Sequence, residues 1–558
     1  MDPTIRVAVV GGGIAGLAAA WQLRRRAVAG GRGVEVRLVE AEERLGGRIA
    51  SERRDGFLVE AGPDSFVVRK PAAVELAGEV ELGERLVGTR PEHQRVWLLR
   101  RGRLVEVPPG MGIVPCRLAP VFASEILSWR GKLRLSLDLV LPRRRRTGDE
   151  SLGAFLRRRF GREAVEGFAG PLMAGIYSAD PETLSLQATF PHFAAIERHR
   201  GSLIRGLRDA GDTGSPTSAR VAPAGGMGEL VEALVAALGD GGGEGDAVTL
   251  TRGRRVVRLE RVPEGAGTQA PVRETATAGL AGEAAHAGTR LLGGEPWPGL
   301  APEAGDEPRR ERRGAGWRGG GESASPRSDT APARDAGAGR AATAGGHVCC
   351  GSAAAHWRLV LDDGDAFCAD AVILALPAFA AAALTAPFAP RLAAGLAAID
   401  YVSTATVTIA FREADLPRPL DGYGFVVPAA EGRRITAVTF SSAKFPGRAP
   451  AGGALMRVFL GGPGGAALLD RDDADLVAVA REELASIWGL AASPRFALLH
   501  RHPRATPRYD VGHRDRVAAL HALLPPTLHL AGAAYHGLGI PDCITSGRQA
   551  ADAALSAP

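Results

Sequence analysis

A glycine-rich stretch near the N-terminus, VAVVGGGIAGLAAAWQL, carries the clearest chemical signal in the chain. Gly11, Gly13 and Gly16 give a G-x-G-x-x-G spacing that follows an apolar strand and opens a helix. In such a turn the first glycine allows the tight bend, the second lets backbone amides approach a pyrophosphate, and the third lets the helix pack closely on the sheet. The helix N-terminus adds free N–H groups and the positive end of a dipole. The stretch therefore predicts a dinucleotide site.

The next strand, VEVRLVE, ends at Glu40. A carboxylate at this place accepts hydrogen bonds from the ribose hydroxyls of a bound dinucleotide. Because an acid repels a phosphorylated ribose, the residue disfavours NADP. The alternative is a glycine turn in a sheet that binds nothing.

A second glycine pair helps to distinguish a flavin dinucleotide from a nicotinamide dinucleotide as the ligand. The stretch EAEERLGGRIAS places Gly46, Gly47 and Arg48 soon after Glu40. A nicotinamide dehydrogenase does not need this pair, whereas an extended cofactor must thread its flavin end past another backbone segment. The N-terminal sequence therefore favours FAD over NAD.

The C-terminal stretch LAGAAYHGLGIPDCITSGRQAADA is the predicted partner of the first turn. Gly537 and Gly539 permit backbone contact with a flat ring, Pro541 suits the first turn of a helix, and Asp542 suits its N-terminal end. That helix end would point at the pyrimidine end of a flavin, which becomes anionic on reduction. A plain glycine-rich helix cap is the alternative.

With these stretches, the chain resembles the FAD-dependent amine oxidase-like superfamily, in which G-x-G-x-x-G, Glu and L-G-G-R occur in this order. Within it, GIPDC and GIYSAD resemble the protoporphyrinogen/coproporphyrinogen oxidases, and the Gram-positive-type enzymes most closely. Other stretches, such as SLGAFLRRRFGREAVE and APAGGMGELVEAL, extend the resemblance over nearly all of the chain outside residues 262–355.

The resemblance implies cofactor contacts in several separate parts of the chain and no metal ligand. The contacts are Gly11, Gly12, Gly13, Ile14, Ala15, Gly16, Glu40, Ala41, Gly46, Gly47, Arg48, Gly62, Pro63, Asp64, Ser65, Val256, Gly532, Gly539, Ile540 and Pro541.

The resemblance also implies a reaction, the oxidation of a porphyrinogen to a porphyrin in three two-electron rounds. FAD accepts hydride, and O2 then reoxidises the reduced flavin and is itself reduced to hydrogen peroxide. The absence of a membrane anchor and the closeness to Gram-positive-type sequences favour coproporphyrinogen III, with protoporphyrinogen IX as the alternative. Another amine oxidase-like flavin oxidase, or a non-enzymatic flavin-binding scaffold, would leave GIPDC and GIYSAD unexplained.

A porphyrinogen is an apolar disc with carboxylate arms, so it needs an apolar slot with cationic anchors at its rim. Arg69 and Lys70 are the candidate anchors. Lys70 is one of only three lysines among 68 basic residues. This rarity indicates that the position requires a flexible point charge. A surface lysine is the alternative. We expect no catalytic proton on His536 or Cys543.

The composition of the chain limits its domain count, its partners and its location. The chain has 558 residues, of which 45% are apolar, so two or three domains are expected. The net charge of +6 reflects an arginine-rich composition with acids spread almost as widely, and does not predict a nucleic-acid partner. The arginine run at 143–146 is either a solvated loop or an attraction to an anionic membrane surface or substrate. Five cysteines without zinc-ligand spacing favour a cytoplasmic protein with no disulfide framework.

Residues 262–355 are rich in Gly, Ala, Pro and mixed charge and predict a disordered insertion between two strands. The predicted fold class is α/β, a discontinuous Rossmann-type FAD domain with a mixed α+β substrate domain and a helical subdomain that is a candidate for membrane association. The FAD domain is expected at 1–75, 216–261, 356–385 and 521–558, and the substrate-binding portions at 76–215 and 386–520. We expect a monomer or homodimer, with possible peripheral membrane contact and possible transient contact with a ferrochelatase.

Overall fold

In the computed structural model, the described residues are 4–30, 33–108, 111–144, 148–177, 179–209, 220–239, 248–262, 290–292, 356–462 and 464–556. Most of the predicted insertion, namely residues 263–289 and 293–355, lies outside them. Within the predicted insertion, residues 290–292 are described and form a short strand that pairs with Ala497–Leu499. No pattern in residues 262–355 indicates this strand.

The strands are β1 Ile5–Val10, β2 Val34–Val39, β3 Ser51–Arg54, β4 Phe57–Glu60, β5 Phe66–Val67, β6 Leu86–Gly88, β7 Val96–Arg100, β8 Arg103–Glu106, β9 Arg220–Pro223, β10 Val248–Thr251, β11 Val256–Arg261, β12 Arg290–Leu292, β13 Trp357–Leu361, β14 Ala366–Ala369, β15 Ala371–Leu374, β16 Tyr401–Arg412, β17 Gly424–Val426, β18 Ile435–Phe440, β19 Gly453–Gly461, β20 Phe496–Pro507 and β21 Leu528–Leu530. The α-helices are α1 Ile14–Gly30, α2 Ala72–Glu79, α3 Leu118–Ala123, α4 Trp129–Ser136, α5 Leu152–Phe160, α6 Arg162–Ala164, α7 Gly170–Tyr177, α8 Leu186–Thr189, α9 Pro191–Arg200, α10 Leu203–Asp209, α11 Met227–Leu238, α12 Ala378–Thr385, α13 Pro390–Ala397, α14 Ser441–Lys444, α15 Asp473–Trp488, α16 His513–Ala522 and α17 Ile540–Ser556.

A five-stranded parallel sheet with the order β10-β2-β1-β15-β21 organises the first domain. Its strands come from four separate parts of the chain, so the domain is discontinuous. Val7 and Val9 face one buried layer, and Ala8 and Val10 face the other. Because both faces are covered, the strands consist of near-continuous apolar runs such as VAVV.

Helices α1 and α17 cover the first face of this sheet and pack closely on each other. A Cβ atom on Gly547 of α17 would lie 2.1 Å from the carbonyl oxygen of Ala15 in α1, so only glycine permits this approach. Both helices follow strands of one parallel sheet, and their N-termini therefore lie at the carboxyl edge of that sheet, where such folds bind nucleotides.

Helices α12, α13 and α16 cover the second face, together with the small sheet β11-β13-β14. Helix α13 and most of α16 lie in the range 386–520 that the sequence assigns to the substrate domain, yet Leu396, Val517 and Leu520 pack beneath the nucleotide-binding sheet. The predicted domain boundaries remain predictions.

An eight-stranded sheet with the order β12-β20-β16-β19-β18-β17-β7-β8 forms the second, mixed portion. One of its faces, which includes Val407 and Ile409, packs on α15 through Leu476 and Leu484. Short sheets β3-β4 and β5-β9-β6 complete the described β-structure.

Helices α3 to α10, with a π-helical turn at Val165–Ala169, form a helical portion with its own apolar core. At its centre, Arg159 and Asp138 are fully buried, and Arg159 Nε donates to Asp138 Oδ1 at 2.6 Å. The hydroxyl of Ser202 and the backbone N–H of Ile204 donate hydrogen bonds to Oδ2 of the same carboxylate, at 2.7 and 3.0 Å. The buried charges are thus paired and hydrogen-bonded, as burial requires.

The fold class predicted from the sequence is confirmed by this arrangement of an open parallel sheet, a mixed sheet and a helical portion. Within the described part of the chain, no helix has the length and apolarity needed to cross a bilayer. The cysteine prediction fails at one position, because Cys368 is disulfide-bonded. Cys116 and Cys543 are free and buried.

We predict that Gly547→Ala destabilises the protein by about 1–3 kcal/mol, the usual cost of overpacking. The added methyl group meets a backbone carbonyl that cannot rotate away, so α17 must move from α1. Chemical denaturation followed by circular dichroism measures the loss.

The matched control is Gly78→Ala in α2, where a Cβ atom would have nothing within 4 Å. Because Ala is the better helix former, this variant should be as stable as the parent or slightly more stable. Equal stability of both variants would contradict the close approach of the two helices.

Candidate functional site

The three glycines of the first turn differ in what surrounds them. Gly11 has a φ of +106°, and its Cβ atom would lie 2.5 Å from the carbonyl oxygen of Ala375. A Cβ atom on Gly16 would lie 1.9 Å from the carbonyl oxygen of Gly11, whereas one on Gly13 would meet nothing within 4 Å. The packing of the protein itself thus explains Gly11 and Gly16. At Gly13 the backbone faces open space, as a turn that receives a pyrophosphate must.

Glu40 lies at the end of β2, directly beside this turn. Its Oε2 accepts the backbone N–H of Gly12 at 2.6 Å, and its Oε1 accepts that of Glu42 at 2.9 Å. These bonds fix the orientation of the carboxylate. Each oxygen has a second lone pair that stays available to a ribose hydroxyl.

The second glycine pair lies against the first turn. The N–H of Gly46 donates to the carbonyl of Gly12 at 2.8 Å, and a Cβ atom on Gly47 would lie 3.2 Å from Cα of Gly13. Both residues have positive φ angles, +101° and +58°. The two glycine motifs therefore form one backbone surface, as the order of the motifs predicts.

Arg44, which the sequence analysis missed, holds this loop together. Its guanidinium donates to the carbonyls of Leu45 at 3.0 Å and Ile49 at 2.7 Å, and also to that of Gly47. An arginine two residues before a glycine pair has no distinctive pattern, so the sequence offered no signal for it.

Arg48 stands in a recess of the protein. Its side chain is accessible to solvent, but surrounding atoms desolvate it enough to lower its pKa, against the opposing effect of Tyr401. Its Nη2 donates to the carbonyl of Arg504 at 3.0 Å, and among the described residues no carboxylate forms an ion pair with it. A desolvated cation without a carboxylate partner suits an anionic ligand.

The segment Gly62, Pro63, Asp64 and Ser65 lies next to Arg48. A Cβ atom on Gly62 would lie 1.7 Å from the carbonyl oxygen of Arg48, so these two segments touch through their backbones. Asp64 accepts from Lys444 at 2.7 Å and from Ser65 at 2.7 Å. Burial alone would raise the pKa of Asp64, but Lys444 and these hydrogen bonds outweigh it and hold the pKa well below the usual range.

Glu60, at the end of β4, fastens the start of the same segment. Its carboxylate accepts from Ser51 and Arg448, both at 2.6 Å, and from the N–H of Met227 at 2.9 Å. Met227 opens α11, so the carboxylate also lies at the positive end of a helix dipole. Burial raises the pKa of Glu60 despite the nearby Arg448 charge.

The C-terminal turn lies at the same edge of the parallel sheet. Gly532 has a φ of +119°, and a Cβ atom there would meet nothing within 4 Å. The N–H of Gly537 donates to the hydroxyl of the buried Tyr509 at 2.7 Å. Gly539 is exposed, while Ile540 and Pro541 are buried at the start of α17. This turn therefore offers a second open glycine surface near the first.

Lys70 differs from the expectation of a free anchor, because its Nζ donates to both oxygens of Asp542 at 2.7 Å. Asp542 also accepts the N–H of Gly539 at 3.2 Å, and a Cβ atom on Gly537 would collide with its side chain. The lysine thus joins the segment after Ser65 to the N-terminus of α17. Its role as a substrate anchor remains a prediction.

The remaining predicted contacts surround the first turn. Ile14 and Ala15 are buried in the first turn of α1, and Ala41 is partly exposed after Glu40. Val256 pairs with Leu361 in the small sheet, with its side chain in the apolar layer.

The donor set fits a dinucleotide that ends in a flavin. Open glycine backbones at 13 and 532, two helix N-termini, an oriented carboxylate and a desolvated arginine meet at one edge of one sheet. Glu40 would hold the ribose, the α1 N-terminus the pyrophosphate, and segment 62–65 with the α17 N-terminus the ring. Among the described residues, no cluster of His, Cys, Asp or Glu could hold a metal ion.

Comparisons with known proteins agree with this geometry. The family described as flavin containing amine oxidoreductase matches residues 14–287 and 354–555. A coproporphyrinogen III oxidase of Propionibacterium freudenreichii is 34% identical, covering 98% of this chain and 90% of that protein. The human protoporphyrinogen oxidase is 30% identical, covering 98% of both chains. A solved structure from Exiguobacterium sp. 255-15 superposes with a TM-score of 0.72 at 27% identity and covers 98% of each chain.

The chain belongs to the flavin-containing amine oxidoreductase family, since the match extends over most of its length. The resemblance found in the sequence is confirmed, and so is FAD as the cofactor. The assignment of individual contacts to FAD is a prediction that rests on the geometry above.

We predict that Gly13→Ala weakens FAD binding at least about tenfold, or ~1.4 kcal/mol, while the unliganded protein keeps its melting temperature. The methyl group enters the space that the pyrophosphate needs but meets no protein atom. Flavin fluorescence titration of unliganded protein measures the affinity.

Gly88→Ala is the control, because that glycine also has nothing within 4 Å of its Cβ position but lies at the end of β6. It should bind FAD as the parent does. Normal FAD binding by Gly13→Ala would contradict the placement of the pyrophosphate.

Proposed function

We propose that the protein oxidises coproporphyrinogen III to coproporphyrin III with O2 as the electron acceptor. When bound, FAD would supply the two-electron redox chemistry of each of three rounds, in which six hydrogens in total leave the substrate and three O2 become three H2O2. The observation that supports this most strongly is the full-length similarity to coproporphyrinogen III oxidases, joined to a site that fits FAD.

The side chains of the protein supply binding and orientation rather than covalent chemistry. Glu40 and the helix N-termini hold the nucleotide, and the N-terminus of α17 provides a positive dipole end for the ring. Lys70 is our candidate for a carboxylate arm of the substrate, because its present partner Asp542 is itself a carboxylate. An exposed ion pair contributes little stability, so the lysine can exchange one carboxylate for another.

Protoporphyrinogen IX is the second candidate substrate, favoured by the similarity to human protoporphyrinogen oxidase. The two substrates differ in charge, because coproporphyrinogen III has four propionates and protoporphyrinogen IX has two.

We also propose a cytoplasmic location, a monomeric or dimeric state, and transfer of the porphyrin product to a ferrochelatase by transient contact.

Supplying the purified FAD-loaded protein with the two porphyrinogens in parallel tests the function. We expect porphyrin fluorescence and peroxide to rise together, with the higher kcat/KM for coproporphyrinogen III. Lys70→Met should raise the KM for this substrate and leave kcat and FAD content unchanged, because an anchor far from the reacting bond binds the ground state and the transition state equally.

Other results would replace the proposal. A higher kcat/KM for protoporphyrinogen IX would make that compound, rather than coproporphyrinogen III, the proposed substrate. Turnover of a primary amine with neither porphyrinogen oxidised would make the protein a different flavin oxidase. Bound FAD without any turnover would support a scaffold.

We propose further that the helical portion docks on an anionic membrane surface. Four exposed apolar side chains follow one face of α4 and the turn after it: Trp129 (67% exposed), Leu133 (62%), Leu137 (46%) and Val140 (76%). Their spacing is that of a helical stripe. The exposed Arg130 and Arg143 flank it, which favours anionic lipid over a neutral surface.

Co-sedimentation with vesicles of phosphatidylglycerol and phosphatidylcholine tests this docking. The double variant Trp129→Glu/Leu133→Glu should lose vesicle binding, whereas Val28→Glu, at an apolar residue that is 81% exposed on α1, should not. Equal binding by all three proteins, or none by the parent, would contradict the proposal.

A further inference from the structure

Part of one face of the eight-stranded sheet is polar although it lies inside the protein. Along β16, the side chains alternate, with Val407 and Ile409 in the apolar core and Thr406 and Thr408 on the opposite face. The neighbouring strands place Arg457 on β19 opposite Thr408, and His500 on β20 opposite Thr406. A sheet that only packs against another layer does not require buried threonine, arginine and histidine side chains.

Arg457 connects this face to the segment that precedes Pro63. Its Nη1 donates to the carbonyl of Gly62 at 2.5 Å, and its Nη2 to that of Ala61 at 3.1 Å. A longer bond of 3.4 Å reaches the hydroxyl of Thr406. The carbonyl of Gly62 shares its peptide plane with the nitrogen of Pro63, so this arginine fixes where the segment 63–65 begins.

Two charge pairs lie beside Arg457. Glu60 pairs with Arg448 at 2.6 Å, and Asp64 pairs with Lys444 at 2.7 Å. Arg457 is only 7% exposed, and no carboxylate among the described residues lies within ion-pairing distance of it. Carbonyls and a hydroxyl hold it, but they do not neutralise it. Among these five charged groups, Arg457 therefore carries the one charge that no partner compensates.

The two histidines beside Arg457 add no charge near neutral pH. Burial, with a smaller effect of Arg457, lowers the pKa of His500 to about 4 and that of His502 to about 3. Burial also lowers the pKa of Arg457, with Asp64 and Glu60 opposing. The guanidinium of an arginine stays protonated in proteins.

We propose that Arg457 is a positioning residue that also tunes the bound flavin electrostatically: it holds the backbone of segment 62–65 against the ring, and its unpaired charge favours the reduced, negatively charged ring. The inference rests on the proposed function only in that FAD binds beside this segment. In a desolvated region, a single uncompensated charge acts strongly over short distances. Removing it makes the flavin harder to reduce.

The test compares a neutral and a charged substitution, Arg457→Gln and Arg457→Lys, in the FAD-loaded protein. The readout is the midpoint potential of the bound flavin, measured by equilibration with a reference dye under anaerobic conditions and without porphyrinogen. We expect a more negative potential in Arg457→Gln and a value close to the parent in Arg457→Lys. FAD content and melting temperature are measured in parallel.

Arg501→Gln is the matched control, since Arg501 lies between the two histidines on β20 but faces the other side of the sheet. There its Nε donates to Asp473 at 2.8 Å, and its two Nη atoms donate to the carbonyls of Leu469 and Arg471, both at 2.6 Å. This variant should lose stability without a change in flavin potential, because the charge that it removes is paired.

An unchanged potential in Arg457→Gln, or an equal shift in both Arg457 variants, would overturn the electrostatic part. If only Arg457→Gln loses FAD, the result supports a need for the positive charge in binding the cofactor. If both variants lose FAD, only the part of the proposal in which Arg457 holds segment 62–65 in place remains. Since the potential is measured without substrate, a parent protein that binds FAD but oxidises no porphyrinogen would refute the proposed function and leave this inference open to its own test.

Discussion

The approach of helix α17 to helix α1 is the constraint on which the nucleotide site depends. The two helices come from opposite ends of a chain of 558 residues, and they meet where Gly547 leaves room for the carbonyl of Ala15. This contact brings the turn at Gly13 and the turn at Gly532 to the same edge of the sheet. A flavin nucleotide is long enough to need both ends fixed, so a site made of either turn alone would hold only half of it.

The second requirement is a rigid segment between these turns. Residues 61–65 have no regular structure of their own. Arg457 of the other sheet holds two of their carbonyls, and Lys444 of α14 holds the carboxylate of Asp64. Loops of this kind are mobile unless such partners fix them. The eight-stranded sheet therefore serves the cofactor domain directly, and the division of the chain into a cofactor part and a substrate part is incomplete at this point.

The sequence predicts the parts of the site that are local. Gly11, Gly13 and Gly16 act within a few residues of each other, and their spacing alone implies the turn. Arg457 and Lys444 contact residues nearly 400 positions away, and no periodicity in β19 or α14 distinguishes them from surface residues. The partner of Lys70 was missed for the same reason, since Asp542 is 472 positions away. Tertiary pairing of charges follows from the fold and cannot be read from a strand pattern.

The three lysines show why a chain so rich in arginine retains them. Lys444 donates to a single carboxylate oxygen of Asp64, and Lys132 to the carbonyl of Phe122 at 2.9 Å beside the ring of Trp129. At each of these two places a single ammonium, with its compact charge, makes the contact. Lys70 differs from them in exposure, with 55% of its side chain accessible against 11% for Lys444. A buried lysine cannot leave its partner at little cost, but an exposed one can. Of the three, Lys70 is therefore the one suited to exchanging its carboxylate for that of a substrate.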